Sequence, residues 1–377
     1  MLTTDTTLNM KLRALFLRWW GTLESRATLW LMIILLLSLS LRLAVLAVIN
    51  VSLMDETAFR RQLIATNVVE GRGYTFCSSY FPFCGPSNDQ TASVGPAPVL
   101  FYAALIIVFG NLATKLTIAL QILLGLTTIV LLYKIINELF GSQRVALLGA
   151  LMWGAYVPMI RSELDLAAEP IFTWFLALGV LAVLYGFSSA HLRFWILAGA
   201  CFGLAALSRE AFVYFPLVLG FLVILVPFVR LRQRLIKVCI FLVAFSLTLS
   251  PWIIRNALVF NGFIPGSTLA GYNLYRHNYI ITDNRYLPFV SREEADLAVA
   301  HLIEQRTDLR GDENELEMDR VYRKEAIDII KSYPHRYVLL SLYRLVPLWT
   351  DIDARPGLSG QLLGLVNLIP LGLAVAA

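Results

Sequence analysis

Asp55 and Glu56 stand side by side at the start of Met54-Asp55-Glu56-Thr57-Ala58-Phe59-Arg60, directly after an apolar run. That run is about twenty residues long, enough to cross a membrane, so both carboxylates fall at or just beyond a membrane surface. A carboxylate in a partly desolvated pocket can act as general base toward an acceptor hydroxyl. Glu163, Asp165 and Glu169 form a second acidic group, and Arg209, Arg255, Asn256, Arg276 and His277 follow at the ends of later apolar runs. Under the topology below all of them lie on one rim. Arginines there can hold a phosphate bidentately and stabilise the charge that grows on it as it leaves. One base and one cationic clamp suffice for transfer from a lipid phosphate, because phosphate leaves without a general acid.

Each group also has a plainer reading. Asp55 and Glu56 can cap a helix, Glu163 and Asp165 read as a wet loop, and Arg209 and Arg255 can snorkel to headgroups. Both arginines nevertheless oppose the usual placement of positive charge, and Glu169 immediately precedes a span. Asn256 and Asn273 read as structural hydrogen-bonding groups near the site. His277 is not expected to bind metal, since no second His or Cys stands at ligand spacing.

The elements that carry these residues are membrane helices. Hydrophobic residues make up 58% of the 377 and charged residues only 15%, with a mean hydropathy of +0.69. Such a chain is polytopic, with room for roughly eight to ten spans. The net charge of +5 sits in small groups beside apolar runs and not in a basic patch interleaved with aromatics, so nucleic acid is excluded as a partner.

Lys11, Arg13, Arg18 and Arg26, with Trp19, Trp20 and Trp30, place the N-terminus in the cytoplasm. Thr28 to Ile49 is too long for a signal-peptide core and stays as an anchor. Alternating the later runs puts Lys134, Arg144, His191, Arg193 and the cluster from Arg230 to Lys237 inside. It also requires Pro98 to Gly110 to be re-entrant or interfacial. The expected protein is therefore an all-α transmembrane bundle with extracytoplasmic loops, in an inner or plasma membrane, with its site on the outer face.

The core is expected over 1–256, including a first outer loop at 50–97. In that loop Thr57 to Val69 reads as a short surface helix ended by Gly71 and Gly73. Cys77 and Cys84 are candidates for a local disulfide, whereas Cys201 and Cys239 read as packing residues. Residues 257–336 form a second outer loop, because the stretch from Arg255 to Arg336 holds 13 of the 26 acidic residues. Ser291 begins one helix there through a capping box, and Asn314 to Ser332 forms another. Residues 337–377 are expected as a C-terminal interfacial or membrane segment that ends within an apolar run, the mark of truncation or of an unusually short member.

In order, Met54-Asp55-Glu56, Gly71-Arg72-Gly73-Tyr74, Gly95-Pro96-Ala97-Pro98-Val99-Leu100-Phe101-Tyr102, Ala168-Glu169-Pro170, Gly203 to Arg209, Pro251 to Asn256 and Gly271-Tyr272-Asn273-Leu274 form a set. It resembles the GT-C membrane glycosyltransferases, in the branch of the protein O-mannosyltransferases and aminoarabinose transferases. The resemblance covers about Ser25 to Asn278. It implies a polyprenyl-phosphate-linked sugar as donor, inversion at the anomeric carbon and Asp55 as catalytic base, with Glu56 and Glu169 as further acidic candidates. Arg60, Tyr74, Arg209, Arg255, Asn256, Tyr272, Asn273 and Arg276 are the candidates for holding substrate. No cofactor is required, although a divalent metal at Asp55 and Glu169 is a candidate by analogy. Membrane lipid is a partner, and the acceptor is left open among lipid, protein and glycan. The alternative is a secondary transporter or flippase, against which stand the lack of an internal repeat and of charge inside the spans.

Overall fold

The computed structural model describes residues 26–48, 56–78, 80–85, 88–189, 191–225 and 230–350. Among these the chain is helical, and its only extended pairing is an isolated bridge between Thr75 and Gln90. Packing divides the chain into two units, 1–73 with 94–255, and 74–93 with 256–377.

The first unit is built of apolar helices. α1 (Ala27–Val48), α2 (Glu56–Val69) and α3 (Pro96–Phe109) are followed by α4 (Ala113–Phe140), α5 (Gln143–Gly154) and α6 (Val157–Leu164). Then come α7 (Glu169–Ser188), α8 (Arg193–Ser208), α9 (Phe215–Leu225) and α10 (Leu231–Phe260), whose last turn belongs to the second unit. Leu36, Ile107, Leu247 and Leu258 are all well over half exposed. Large side chains left bare in such number are what lipid covers. Among the described residues four stretches can cross a membrane by length and composition, Ala27–Ala47, Pro96–Phe140, Glu169–Ser188 and Leu231–Phe260.

α5 and α6 make a fifth if their 52° bend is one broken span. The break falls at Ala155–Tyr156, just before Pro158, which cannot donate into a preceding turn. The apolar run from Val145 to Ile160 is thus divided between two short helices. α8 and α9 are apolar but shorter than a full crossing. The stretch Pro96–Phe140 is not straight either. Gly110 takes φ 52° and ψ −122°, open only to glycine, and the Tyr102 hydroxyl lies 2.9 Å from Thr114 Oγ1. A continuous helix would hold residues twelve apart about 18 Å from each other. α3 therefore folds back on α4.

One charge pair is sealed inside this unit. Arg42 of α1 donates from Nε to Glu163 Oε2 at 2.6 Å and from Nη2 to Oε1 at 2.7 Å, with neither side chain exposed. Ser38 and the Gly154 carbonyl take the remaining guanidinium face. α4 leaves room with Gly125, where an added Cβ would come 2.1 Å from Glu163 Oε1. Glu163 is thus not in a wet loop, and a charge does lie within a span, at Arg42.

The second unit joins 74–93 to α11 (Ala270–Asn278), α12 (Arg292–Gln305), α13 (Glu315–Ser332) and α14 (Pro334–Thr350). Asn314 opens α13 with a full capping box: its side chain accepts from Glu317 N at 3.0 Å, and Glu317 accepts from Asn314 N at 2.9 Å. Ser291 caps α12 by accepting from Glu294 N at 3.2 Å. The core is aromatic, with Tyr80, Tyr272, Tyr275 and Tyr322 packed around Met318.

The buried Glu315 carboxylate ties the two chain segments together. It accepts from Ala92 N at 2.7 Å, Thr268 Oγ1 at 2.6 Å, Thr91 Oγ1 at 2.9 Å and the Tyr80 hydroxyl at 2.5 Å. Burial pushes its pKa up, against the pull of those donors. Cys77 and Cys84 are joined by a disulfide within the 74–93 segment.

Candidate active site

Asp55 lies outside the described residues, and Glu56 is the first residue of α2. The other candidates can be placed one by one.

In the first unit Glu169 begins α7, with Pro170 fixing the first turn. Its Oε1 lies 3.0 Å from Arg209 Nη1, the arginine side chain being 51% exposed and the glutamate side chain 29%. Arg209 follows α8 in extended backbone. The structure therefore pairs these two candidates, at a place that solvent or a ligand reaches. The neighbouring Glu210 accepts from the Gly95 backbone N–H, at the start of α3. A side chain at 95 would come 2.4 Å from the Leu207 carbonyl, which explains glycine before Pro96.

Beneath the pair the chain from 165 to 168 is held by two residues that sequence reasoning passed over. Arg61 Nη1 donates to the Leu166 carbonyl at 2.8 Å, and Gln121 Nε2 to the Ala167 carbonyl at 3.0 Å. Both are buried, and with Tyr102 and Thr117 they line a cavity of about 10 Å³. For Gln121 the available signal was a polar side chain within an apolar helix. Their effect is to fix the segment that carries Glu169.

Arg255, also in the first unit, lays its guanidinium over the Trp252 ring, 5.3 Å from the centroid. Arg60 is half-buried on α2, and Arg72 bonds back to Asn67 Oδ1 at 2.7 Å.

The remaining candidates belong to the second unit, where most are engaged in its fold. Asn256 is fully buried and donates from Nδ2 to the Ile264 carbonyl at 3.2 Å. Tyr74 is buried, with its carbonyl accepting from Thr91 N. Tyr272 stacks in the core 5.0 Å from Tyr80, and Arg276 donates to the Val290 carbonyl at 2.8 Å beside Phe289. Asn273 is exposed on α11. His277 is pushed down to about 4 by burial and then by Arg276 and Arg344, so it is neutral near pH 7.

Among the described residues no three His, Cys, Asp or Glu side chains gather as metal ligands. Glu169 already has its charge compensated by Arg209, which a metal would have to displace. That arrangement suits a carboxylate orienting a guanidinium better than a metal ligand.

Residues 93–254 match the family model of dolichyl-phosphate-mannose-protein mannosyltransferases, a segment that contains Gly95, Glu169, Arg209 and Glu210. No curated protein matches the chain. Among solved structures, the Archaeoglobus fulgidus oligosaccharyltransferase in its apo form is similar at 15% identity and a TM-score of 0.49, over 82% of this chain and 39% of that one. The same protein in complex with Zn and sulfate is similar at 15% identity and a TM-score of 0.41, over 89% and 52%. The chain thus spans between two fifths and about half of the length of those structures. The family match covers less than half of the chain, and it makes the segment 93–254 similar to a family of glycosyltransferases.

Proposed function

We propose that the protein transfers a sugar from a polyprenyl-phosphate donor to an acceptor hydroxyl, on the extracytoplasmic face and with inversion. Asp55 takes the acceptor proton, the hydroxyl oxygen attacks the anomeric carbon, and the polyprenyl phosphate leaves with the bonding electrons. Arg209 binds the departing phosphate, with Arg255 as a further cationic candidate. Glu169 acts through Arg209, by orienting its guanidinium.

The observation that carries this reading is the mannosyltransferase match, which encloses a half-exposed arginine held by a carboxylate at 3.0 Å. A guanidinium so placed is oriented without being consumed, because a single carboxylate leaves other N–H donors for a phosphate.

The test is transfer from a panel of radiolabelled polyprenyl-phosphate sugars in membranes carrying the intact protein or Asp55→Asn. The variant keeps the shape and removes the base. Loss of transfer by about a hundredfold with donor still bound supports the assignment. Equal transfer by both proteins removes Asp55 from the mechanism and makes Glu56 or Glu169 the next base to test.

A further inference from the structure

The second unit contains an open cleft of about 470 Å³ bounded by α11, the 279–285 turn, α12 and α13. That size is within the range of small-ligand sites. We propose that this cleft binds a neutral oligosaccharide, the acceptor of the transfer described above; the acceptor role rests on that reading, and the binding site does not.

Charge narrows the ligand class first. Asp283, Glu294 and Glu325 line the cleft against a single arginine, Arg285, which is itself bridged to Glu294. An anion would meet an acidic wall. A cation would find Glu294 engaged by Arg285 and Glu325 lying 3.6 Å from Arg306. A neutral polyol suffers neither conflict. Its hydroxyl hydrogens need acceptors, and a carboxylate has about four lone-pair sites, so one already bridged to arginine still accepts.

The aromatic wall fits the same class. The half-buried Tyr279 ring stacks on Tyr275 at 5.8 Å and 29°, so its ring is braced from one side. The Tyr279 hydroxyl donates to the Glu294 carbonyl at 3.4 Å, and that of Tyr275 to the Ala298 carbonyl at 3.2 Å. Burial, followed by Glu325 for Tyr275 and Glu294 for Tyr279, pushes both phenols up to about 12, so both remain neutral. A fixed, neutral ring is a surface on which the C–H face of a sugar can pack. His301 and Gln305, 3.2 Å apart and exposed, add donors and acceptors at the rim.

The experiment is saturation-transfer NMR on the full chain in nanodiscs, with neutral di- to tetrasaccharides, an acidic oligosaccharide and a lysine-rich peptide as probes. Two variants at exposed positions are compared, Leu297→Trp, which fills the cleft, and Asp283→Asn. Binding of at least one neutral saccharide, weakened tenfold or more by Leu297→Trp, is expected. Failure of every neutral saccharide to bind, binding indifferent to both variants, or cleft-dependent binding of the peptide or acidic sugar alone overturns the proposal. Transfer that persists under any of those outcomes leaves the transferase reading standing. Saccharide binding that survives in a chain consuming no donor supports the site and removes its acceptor role.

Discussion

Arg42 and Glu163 are 121 residues apart in sequence and meet through two parallel hydrogen bonds, of 2.6 and 2.7 Å, with no solvent on either side chain. Desolvating two charges is costly, and removing one partner leaves the other buried without compensation. Arg42→Met or Glu163→Gln alone should therefore destabilise the first unit by about 3–5 kcal/mol. The double variant Arg42→Met/Glu163→Leu should recover much of that loss. Thermal unfolding in detergent checks both, and single variants as stable as the native protein would show that the pair does not form.

Glu315 accepts hydrogen bonds from four donors. Glu315→Gln replaces one acceptor oxygen by an NH2 donor, so at least one group that now donates must turn round to accept or lose its partner. The expected loss is about 2–3 kcal/mol, felt in how 74–93 is held. Limited proteolysis should cut that segment faster in the variant. Unchanged cleavage would mean the disulfide between Cys77 and Cys84, and not the carboxylate, holds it in place.

His277 is held down at about 4 against an ordinary 6.5, mainly by burial. The unfolded chain therefore binds a proton between those values that the folded one refuses. Stability from this group is complete above pH 6.5 and is lost as pH falls toward 4, by at most about 3 kcal/mol, less what its solvent-facing side screens. Unfolding midpoints measured across that window should slope upward with pH. His277→Phe should flatten the slope, and an unchanged slope would assign it to other groups.

Arg209→Lys keeps a positive charge but loses the planar fork that pairs with a carboxylate on one edge and a phosphate on the other. On the proposed mechanism it should lower transfer about tenfold or more, chiefly through a weaker hold on the donor. Glu169→Gln should give a milder loss, because it leaves the guanidinium in place and frees its orientation. Steady-state kinetics with a fixed acceptor checks the order. A larger effect of Glu169→Gln would move the base from Asp55 to Glu169.

Local signals carried over well. Gly71 and Gly73 follow α2 with φ of 77° and 82°, and Ser291 caps α12 by accepting from Glu294 N. These features depend on residues a few positions apart, so they are legible without the fold. Glu163 was not, because its partner lies on α1 and its space comes from Gly125 on α4. Arg42 did carry a signal, a lone charge within an apolar run, whose meaning needed the partner. The fold-back at Gly110 was legible only as a run too short to span. Of the candidate site, the Glu169–Arg209 pair was legible as two motifs but not as a contact. Asn256, Tyr74 and Tyr272 take part in packing the second unit, which no short motif announces.

The second unit has a consequence for biosynthesis. Tyr80, Thr91 and Ala92 find their acceptor only at Glu315, more than 220 residues later. At about 5–20 residues per second the ribosome needs on the order of ten seconds or more to supply it. Meanwhile the helices between are threaded into the bilayer. Until the chain from 256 onward begins to be made, 74–93 lacks the rest of its own unit, whereas Cys77 and Cys84 are both already made. Local oxidation can thus set the loop early, and the carboxylate latch closes last.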